Sequence, residues 1–299
     1  MATKLEAALA KGEFVVTGEA GPPKGVNVAR SLEEVEPLKG LLLAYNVTDN
    51  QASVMRVSSL VMSYKLIEHG LEPVFQITGR DRNRLAIQSE ILSAYVMGVR
   101  NVLCLTGDYT TLGDHPEAMP VFDLDSVGTL QAVAALKGGV DLAGEKLDGA
   151  PTEIFQGAVV APGADPLEPQ LIKFDKKVKA GARFFQTQAV FSVEEWKRFY
   201  DHGHKAGVPI LLGIILLKSG AMARFMNKNV AGVNVPQALI DRLDKADKKD
   251  KPKVSIEIAS ELVREIRPMC QGLHIMALGW DKYIPALLEQ SGLRSGRGQ

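Results

Sequence analysis

The sequence contains only two cysteines among 299 residues, Cys104 and Cys270, and both lie in apolar runs. Two thiols cannot build the disulfide framework of a small secreted protein or a four-cysteine zinc or iron–sulfur site. An excess of either charge is missing too, because 35 basic residues balance 35 acidic ones. Without a net field of one sign the chain has no general attraction for nucleic acid or an anionic membrane, and we expect neither as a partner.

Long hydrophobic runs are also absent. The stretch that comes nearest, VPILLGIILL from Val208, has the length of a strand and falls short of the ~18 apolar residues that a membrane helix needs. The N-terminal segment scatters charges through an amphipathic stretch and lacks an apolar core followed by a small-residue cleavage site. We therefore predict no signal peptide, no membrane span and a cytoplasmic location.

A regular alternation of short apolar runs and longer amphipathic stretches occupies the whole chain. Eight such strand–helix units follow one another, beginning with the run at Phe14. Apolar strands that alternate with helices predict a parallel sheet covered on both faces. Eight units favour a closed barrel over an open sheet, which usually has about five or six strands. We predict one domain, residues 1–299, folded as a (β/α)8 TIM barrel with its active site at the C-terminal ends of the strands.

Two acidic residues stand at predicted strand ends. Glu19 ends the first strand, and a carboxyl group at the mouth of an apolar barrel should have a raised pKa, which suits a general acid. The alternative is a surface glutamate in a turn. Asp108 follows Gly107 after the apolar LCLT, so the backbone could approach a ligand while the carboxylate meets a donor-rich ring. The alternative for Asp108 is a helix N-cap.

Further polar residues at the strand ends leave alternatives open. The amide of Gln188 would either contact a ligand or tie two loops together. Asp123 would hydrogen-bond a ribose or face water, and Asp125 is a candidate N-cap for the next helix. Lys177 starts the last turn of a helix, where a solvated cation is the commoner outcome and phosphate contact the less common one. We expect no metal site, and a dinucleotide would have to be held by barrel loops because no GxGxxG or P-loop motif occurs.

At these strand ends the sequence resembles the methylenetetrahydrofolate reductase family, whose members are flavin-containing (β/α)8 barrels. The resemblance extends from about Glu13 to Leu288. Each motif is weak alone, but their order and spacing are specific. The motifs are EAGPP at 19–23, LTGD at 105–108, FDLDSV at 122–127, KKVKAGARFFQTQ at 176–188, ARFMN at 223–227 and VP at 235–236.

The resemblance implies a hydride relay. NADH or NADPH would reduce a flavin, and methylenetetrahydrofolate would then open its five-membered ring and accept the hydride to become methyltetrahydrofolate. Glu19 corresponds to the family's general acid, Asp108 to its catalytic aspartate beside the pterin, and Gln188 to the glutamine shared by folate and nicotinamide. The implied cofactor-binding residues are Asn46, Gln76, Thr106, Gly107, Asp108, Asp123 and Lys177.

Several positions depart from the family pattern. Gln76 stands where bacterial members have a histidine, Thr106 where they have an arginine, and Trp280 near an arginine that touches folate. The first two of these positions hold FAD in the family, and we expect FAD as the cofactor. Because the residues differ here, the alternatives are FMN or FAD bound in another way. Similar divergence occurs in reductases of acetogenic pathways, so we expect a separate partner subunit or a homo-oligomer. The alternative functions are a flavin-free, methyltransferase-type pterin barrel and a flavin-binding electron-transfer subunit of a larger complex.

Overall fold

Eight parallel strands pair in chain order and close into a barrel, in a computed structural model that describes residues 2–293. The barrel closes where β8 pairs with β1. The predicted (β/α)8 barrel is confirmed, and residues 1 and 294–299 of the predicted domain lie outside the described residues. The strands are β1 Val15–Glu19, β2 Ala44–Val47, β3 Pro73–Thr78, β4 Asn101–Leu105, β5 Phe155–Val160, β6 Phe184–Ala189, β7 Ile210–Ile215 and β8 Gly272–Met276.

Helices cover the outside of the barrel. In β7 every residue is buried, as expected for a parallel strand with helices on one face and the barrel interior on the other. Asp125 caps the helix after β4, accepting from the backbone N–H groups of Val127 and Gly128, which confirms its predicted role. The helices are α1 Lys4–Ala10, α2 Val28–Val35, α3 Ser59–Glu68, α4 Arg84–Val96, α5 Ser126–Lys137, α6 Glu168–Lys179, α7 Val193–Gly203, α8 Gly220–Asn229, α9 Gln237–Lys245, α10 Lys251–Ile266 and α11 Ile284–Gln290.

Helix α1 closes the N-terminal end of the barrel. Its residues Leu5, Ala8 and Leu9 are buried against the apolar side chains that the strands point inward at that end. The Glu72 carboxylate accepts from the backbone N–H groups of Lys4 and Leu5 at 2.8 and 2.9 Å, so the first turn of α1 has a partner for its free donors. The N-terminal end is therefore filled, and a cavity opens at the other end.

A bulge near the end of β6 shapes that other end. The pairing of β6 with β7 shifts register between Gln186 and Ala189, and the carbonyl of Thr187 turns toward Gly213. A Cβ on Gly213 would lie 2.3 Å from that oxygen, so only glycine allows the two backbones to approach. The bulge thus sets the direction in which β6 delivers Gln188.

Among residues 2–293, no helix combines the length and the apolar character that crossing a membrane requires.

Candidate active site

A cavity of about 420 Å³ opens at the C-terminal ends of the strands, within the usual size range of ligand pockets. Strands β1, β3, β4, β5, β6 and β8 contribute residues to it, and α6 contributes part of one wall. Most of the predicted site residues line this cavity: Glu19, Gln76, Thr106, Gly107, Asp108, Lys177 and Gln188.

Glu19 is largely buried, with 14% of its side chain exposed, so the alternative of a surface glutamate is wrong. Burial raises its pKa to about 7, and the negative charge of Asp281 adds to the shift. A carboxyl group with this pKa is about half protonated at neutral pH. It can therefore give a proton to a ligand in the cavity without strong acid in the solvent.

His274 is the buried neighbour of Glu19, with its Nε2 atom 3.8 Å from Glu19 Oε1. Its Nδ1 atom lies 3.1 Å from the hydroxyl oxygen of Thr17. Burial lowers the pKa of His274 to about 3, so the imidazole is neutral at physiological pH. A neutral ring cannot hold Glu19 ionised by charge, and this arrangement is compatible with a protonated carboxyl group.

Hydrogen bonds continue from Thr17 across the barrel interior. The Gln186 Nε2 atom donates to the Thr17 hydroxyl at 3.4 Å, and Gln186 also forms a reciprocal amide pair with Asn46 at 2.5 and 3.0 Å. All three side chains are buried. A buried polar chain whose members have partners holds its side chains in fixed orientations.

Asn46 therefore lies outside the cavity lining, with its side-chain amide committed to Gln186. The predicted contact of Asn46 with a cofactor stays a prediction.

Asp108 follows Gly107, a position that only glycine can occupy. Gly107 has a φ of +93°, and a Cβ there would lie 2.9 Å from the Cβ of Arg80. The backbone carbonyl of Asp108 accepts from Ser53 Oγ and Arg80 Nη1 at 3.1 and 3.3 Å. The helix N-cap alternative is wrong, because the following short 3-10 helix is preceded by Tyr109. Within residues 2–293 the Asp108 carboxylate has no hydrogen bond, which leaves it available to a ligand.

Arg80 fixes the loops around Asp108. Its side chain is only 2% exposed, and its guanidinium donates to both carboxylate oxygens of Asp81 at 2.7 and 2.6 Å. Further bonds reach Ser53 Oγ and the carbonyl of Asn50. Because its donors are used by the protein, Arg80 positions the loops after β2, β3 and β4.

Gln188 and Gln76 present amide groups to the cavity. The Oε1 atom of Gln188 accepts from the N–H of the next residue, Ala189, at 3.1 Å. That bond is local, so it does not tie two loops together. In the described part of the chain, neither the Gln188 NH2 nor the Gln76 amide has a hydrogen-bonding partner, although both side chains reach the cavity.

Lys177 lies in the cavity wall and is buried, so the expectation of a solvated cation is wrong for it. Its ammonium donates to the carbonyl of Val159 at 2.5 Å. Burial and then the charge of Lys173 lower its pKa to about 8. One of its three N–H donors is thus used within residues 2–293, and a nearby anion would offset the cost of burying this charge.

Asp123 lies outside the cavity lining and is bound to Arg84. Its carboxylate accepts from the backbone N–H of Arg84 at 2.8 Å and from the guanidinium at 2.9 Å. The Arg84 guanidinium lowers the pKa of Asp123 to about 2. Its predicted contact with a ribose stays a prediction.

Sequence reasoning missed Gln186, His274 and Arg80. Residues two apart on a strand point to the same side, so the choice of Gln188 could have drawn attention to Gln186. The same rule places Thr17 beside Glu19 on the inward face of β1. No comparable signal marks His274, because its partners Thr17 and Glu19 lie about 255 residues earlier in the chain.

Across residues 2–293, no cluster of three or more His, Cys, Asp or Glu side chains could hold a metal ion.

Comparison with known proteins gives one consistent family. The model of the methylenetetrahydrofolate reductase family matches residues 4–292. The 5,10-methylenetetrahydrofolate reductase of Salmonella typhimurium is 25% identical over 296 residues, which cover 96% of this chain and 93% of that protein. Methylenetetrahydrofolate reductase 2 of Schizosaccharomyces pombe is 25% identical over 249 residues, 78% of this chain but only 38% of the yeast protein.

Solved structures agree on the fold. An uncharacterised Clostridium thermocellum protein, described as binding two copies of 5-methyl-5,6,7,8-tetrahydrofolic acid, superposes with a TM-score of 0.65. The superposition covers 96% of this chain and 97% of that one at 16% sequence identity. A tryptophan synthase of Mycobacterium tuberculosis gives a TM-score of 0.55 at 11% identity, with full coverage of both chains. At these identities the likeness is one of barrel architecture.

Proposed function

The chain belongs to the methylenetetrahydrofolate reductase family, whose members are oxidoreductases acting on CH–NH groups, and from that premise we propose its reaction. The protein reduces 5,10-methylenetetrahydrofolate to 5-methyltetrahydrofolate, with a bound flavin and with NADH or NADPH as electron donor. One observation carries the proposal: the protonatable Glu19 and the unbonded carboxylate of Asp108 line the same cavity. An acid and a fixed negative charge are the two groups that opening the folate ring requires.

The residues present fit a flavin. The Lys177 ammonium is buried in the cavity wall with only the Val159 carbonyl as partner among described residues, which suits an anionic portion of a ligand. Gln76, Thr106, Gly107, Asp108 and Lys177 would hold the flavin. When bound, a flavin supplies reversible acceptance and donation of hydride. We propose FAD, with FMN as the alternative because Gln76 and Thr106 replace charged or ionisable family residues.

Asn46 and Asp123 would take part less directly. Asn46 would support the cavity floor through Gln186, and Asp123 would contact a ribose only after it releases Arg84.

Glu19 performs the proton transfer in this proposal. Its neutral carboxyl group donates a proton to the leaving nitrogen of the five-membered ring, and the ring opens to a cation. His274 and Thr17 keep that carboxyl group in place from below, because both are buried and hydrogen-bonded to each other. The neutral imidazole leaves the proton on Glu19 until the substrate takes it.

Asp108 and Gln188 bind the substrate in this proposal. The Asp108 carboxylate stabilises the ring-opened cation by charge, and its backbone is fixed by Ser53 and Arg80 so that little reorganisation is needed. The free NH2 group of Gln188 donates to the pterin, and to the nicotinamide when the donor occupies the same space. We expect the protein to work in the cytoplasm, as a homo-oligomer or with a partner subunit.

The decisive experiment is anaerobic purification followed by flavin extraction with mass identification, and then a folate-dependent NADH or NADPH oxidation assay. We expect one non-covalent flavin per chain and turnover of 5,10-methylenetetrahydrofolate. A folded, colourless protein that binds neither added FAD nor FMN would remove the flavin. If that protein still bound folate, the methyltransferase-type barrel would replace the proposal. A flavin-containing protein that is inactive even with candidate partners would favour an electron-transfer subunit.

A further inference from the structure

The hydroxyl group of Thr17 has three polar neighbours inside the barrel, directly behind the cavity. Gln186 Nε2 donates to it at 3.4 Å, and it donates to the backbone carbonyl of Leu273 at 3.3 Å. The third neighbour is His274 Nδ1, at 3.1 Å. Thr17, Gln186 and His274 are all buried. Because buried polar groups need hydrogen-bond partners, each of the three contacts should contain one hydrogen.

Counting these hydrogens assigns the tautomer of the imidazole. A threonine hydroxyl has one hydrogen and two lone pairs. The Leu273 carbonyl can only accept, so that contact takes the hydroxyl hydrogen, and the Gln186 amide supplies a hydrogen of its own. The hydrogen in the third contact must then come from the ring, so Nδ1 of His274 is the protonated nitrogen. The other tautomer would leave two acceptor oxygens, of Thr17 and Leu273, facing each other at 3.3 Å.

The other ring nitrogen of His274 then carries a bare lone pair. A neutral imidazole has one ring hydrogen, and burial keeps this ring neutral by lowering its pKa to about 3. Its Nε2 atom lies 3.8 Å from Glu19 Oε1, and both residues line the cavity. Among residues 2–293 neither this nitrogen nor the Glu19 carboxyl group has a hydrogen-bond partner.

A bare nitrogen distinguishes the two forms of a neighbouring carboxyl group. Its lone pair accepts a hydrogen bond from the neutral acid and repels the carboxylate, so it favours the protonated form. The distance of 3.8 Å slightly exceeds a hydrogen bond, and a small rotation of the Glu19 side chain would close it. The tautomer of His274 therefore decides which form of Glu19 the protein stabilises.

We infer that Thr17 fixes His274 as the Nδ1-protonated tautomer and that the bare Nε2 atom accepts the acidic hydrogen of Glu19. The tautomer stands on the geometry alone, whereas the use that it serves rests on the proposed function. His274 is then a positioning residue, because it acts on the substrate only through Glu19. The acidic hydrogen stays on the Glu19 oxygen, directed at Nε2, until the leaving nitrogen of the folate takes it. The imidazole keeps its own ring hydrogen throughout.

The tautomer is measured directly by 15N NMR of the purified protein with labelled histidine. The chain has five histidines, and comparison with His274→Asn identifies the signals of His274. We expect a protonated Nδ1 and a bare Nε2 at neutral pH. A protonated Nε2 would overturn the inference.

Thr17→Val tests whether the hydroxyl sets the tautomer, because valine has a similar shape but no oxygen. The ring hydrogen should move to Nε2 and donate to ionised Glu19. The titration midpoint of Glu19, about 7 in the wild type, should then fall by about one pH unit. Asp281 and the neighbouring Asn46 of β2 are the same in both proteins, so the difference reports His274. The 13C signal of the Glu19 carboxyl group, assigned with Glu19→Gln, gives the midpoint.

Two further variants serve as controls. Thr17→Ser retains the hydroxyl group and should keep both the tautomer and the midpoint of the wild type. Thr129→Val removes another buried hydroxyl, which donates to the Asp125 carbonyl at 2.9 Å on α5, and it should change neither quantity. Thermal unfolding of each variant checks that the fold is retained. If Thr17→Val does not fold, the spectrum of the wild type still decides the tautomer.

Neither NMR measurement needs a substrate, which separates this inference from the proposed reaction. The expected tautomer and midpoint shift in a protein that does not reduce methylenetetrahydrofolate would support the inferred hydrogen bonds and overturn the reaction alone. With turnover, the pH midpoint of flavin reoxidation by the folate should also fall by about one unit in Thr17→Val. An unchanged Glu19 midpoint in a Thr17→Val protein whose ring hydrogen has moved to Nε2 would overturn the role of His274.

Discussion

The imidazole of His274 lies 3.8 Å from the carboxylate of Glu19, and the two residues belong to β8 and β1, the strands whose pairing closes the barrel. Burial keeps the imidazole neutral by lowering its pKa to about 3. Burial also raises the pKa of Glu19 to about 7. The two shifts have burial as their main cause, and together they place a carboxyl group that is readily protonated at neutral pH beside a neutral imidazole, where β8 pairs with β1.

Replacement of Glu19 by glutamine tests the proposed acid most directly. Glutamine has nearly the same size but cannot donate a proton from a carboxyl group, so reoxidation of the reduced enzyme by methylenetetrahydrofolate should slow by about 10²–10⁴-fold. Reduction by NADH or NADPH needs no such acid and should stay within a few-fold of wild type. Rapid-mixing absorbance follows the two half-reactions separately. Normal reoxidation by the folate in Glu19→Gln would contradict the assignment.

The folate half-reaction should depend on pH through Glu19. The acid acts in its protonated form, and its pKa is about 7, so the rate constant should be level at lower pH and fall about tenfold per unit well above 7. The pKa of His274, about 3, lies too low to add a second ionisation in the neutral range. Stopped-flow measurements from pH 6 to 9 check this expectation. An unchanged pH profile in Glu19→Gln would assign the ionisation to another group.

Asp108→Asn removes the charge proposed to stabilise the ring-opened cation. Folate turnover should fall by about 10- to 1000-fold, while reduction by the donor changes far less. Asp175→Asn is the matched control, because Asp175 lies on α6 and hydrogen-bonds His202 at 2.8 Å outside the cavity. Equal losses in both half-reactions of Asp108→Asn would mean that this residue shapes the cofactor site and does not act on the folate.

Gly213→Ala should destabilise the protein through the β6 bulge. The added Cβ would lie 2.3 Å from the carbonyl oxygen of Thr187 and 2.8 Å from that of Gln188. Relieving such contacts between backbones costs about 1–3 kcal/mol of unfolding free energy. Urea unfolding of Gly213→Ala beside Gly21→Ala, where a Cβ meets nothing within 4 Å, measures the difference. Equal stability of the two variants would show that the bulge adapts without cost.

The barrel could be predicted because its signal is local. Each strand and helix is marked by its own apolar pattern, and the ends of the strands locate the cavity. Glu19 and Asp108 were found in this way, since each follows an apolar run. Lys177 shows the limit of local reasoning. Its place on α6 suggested solvent, but packing of the helix on β5 places its ammonium under the carbonyl of Val159.

Side-chain partners could not be predicted, because they come from distant parts of the chain. Asn46 meets Gln186 across 140 residues, and nothing in either local sequence indicates the pairing. Asp123 is likewise committed to Arg84 at the start of α4, which precedes it by 39 residues. Sequence patterns give the strand end at which a polar residue lies, but the closed geometry of the barrel decides which partner it finds.

Helix α1 restricts the route by which ligands can enter and leave the barrel. It fills the barrel end opposite the cavity, so in the described part of the chain the proposed nicotinamide donor and the proposed folate substrate would both enter through the one opening at the C-terminal ends of the strands. Two bulky ligands that occupy the same space and enter through the same opening must bind one after the other, so the first must dissociate before the second can bind. A high concentration of either ligand would then hinder binding of the other, so an excess of one substrate should inhibit the enzyme.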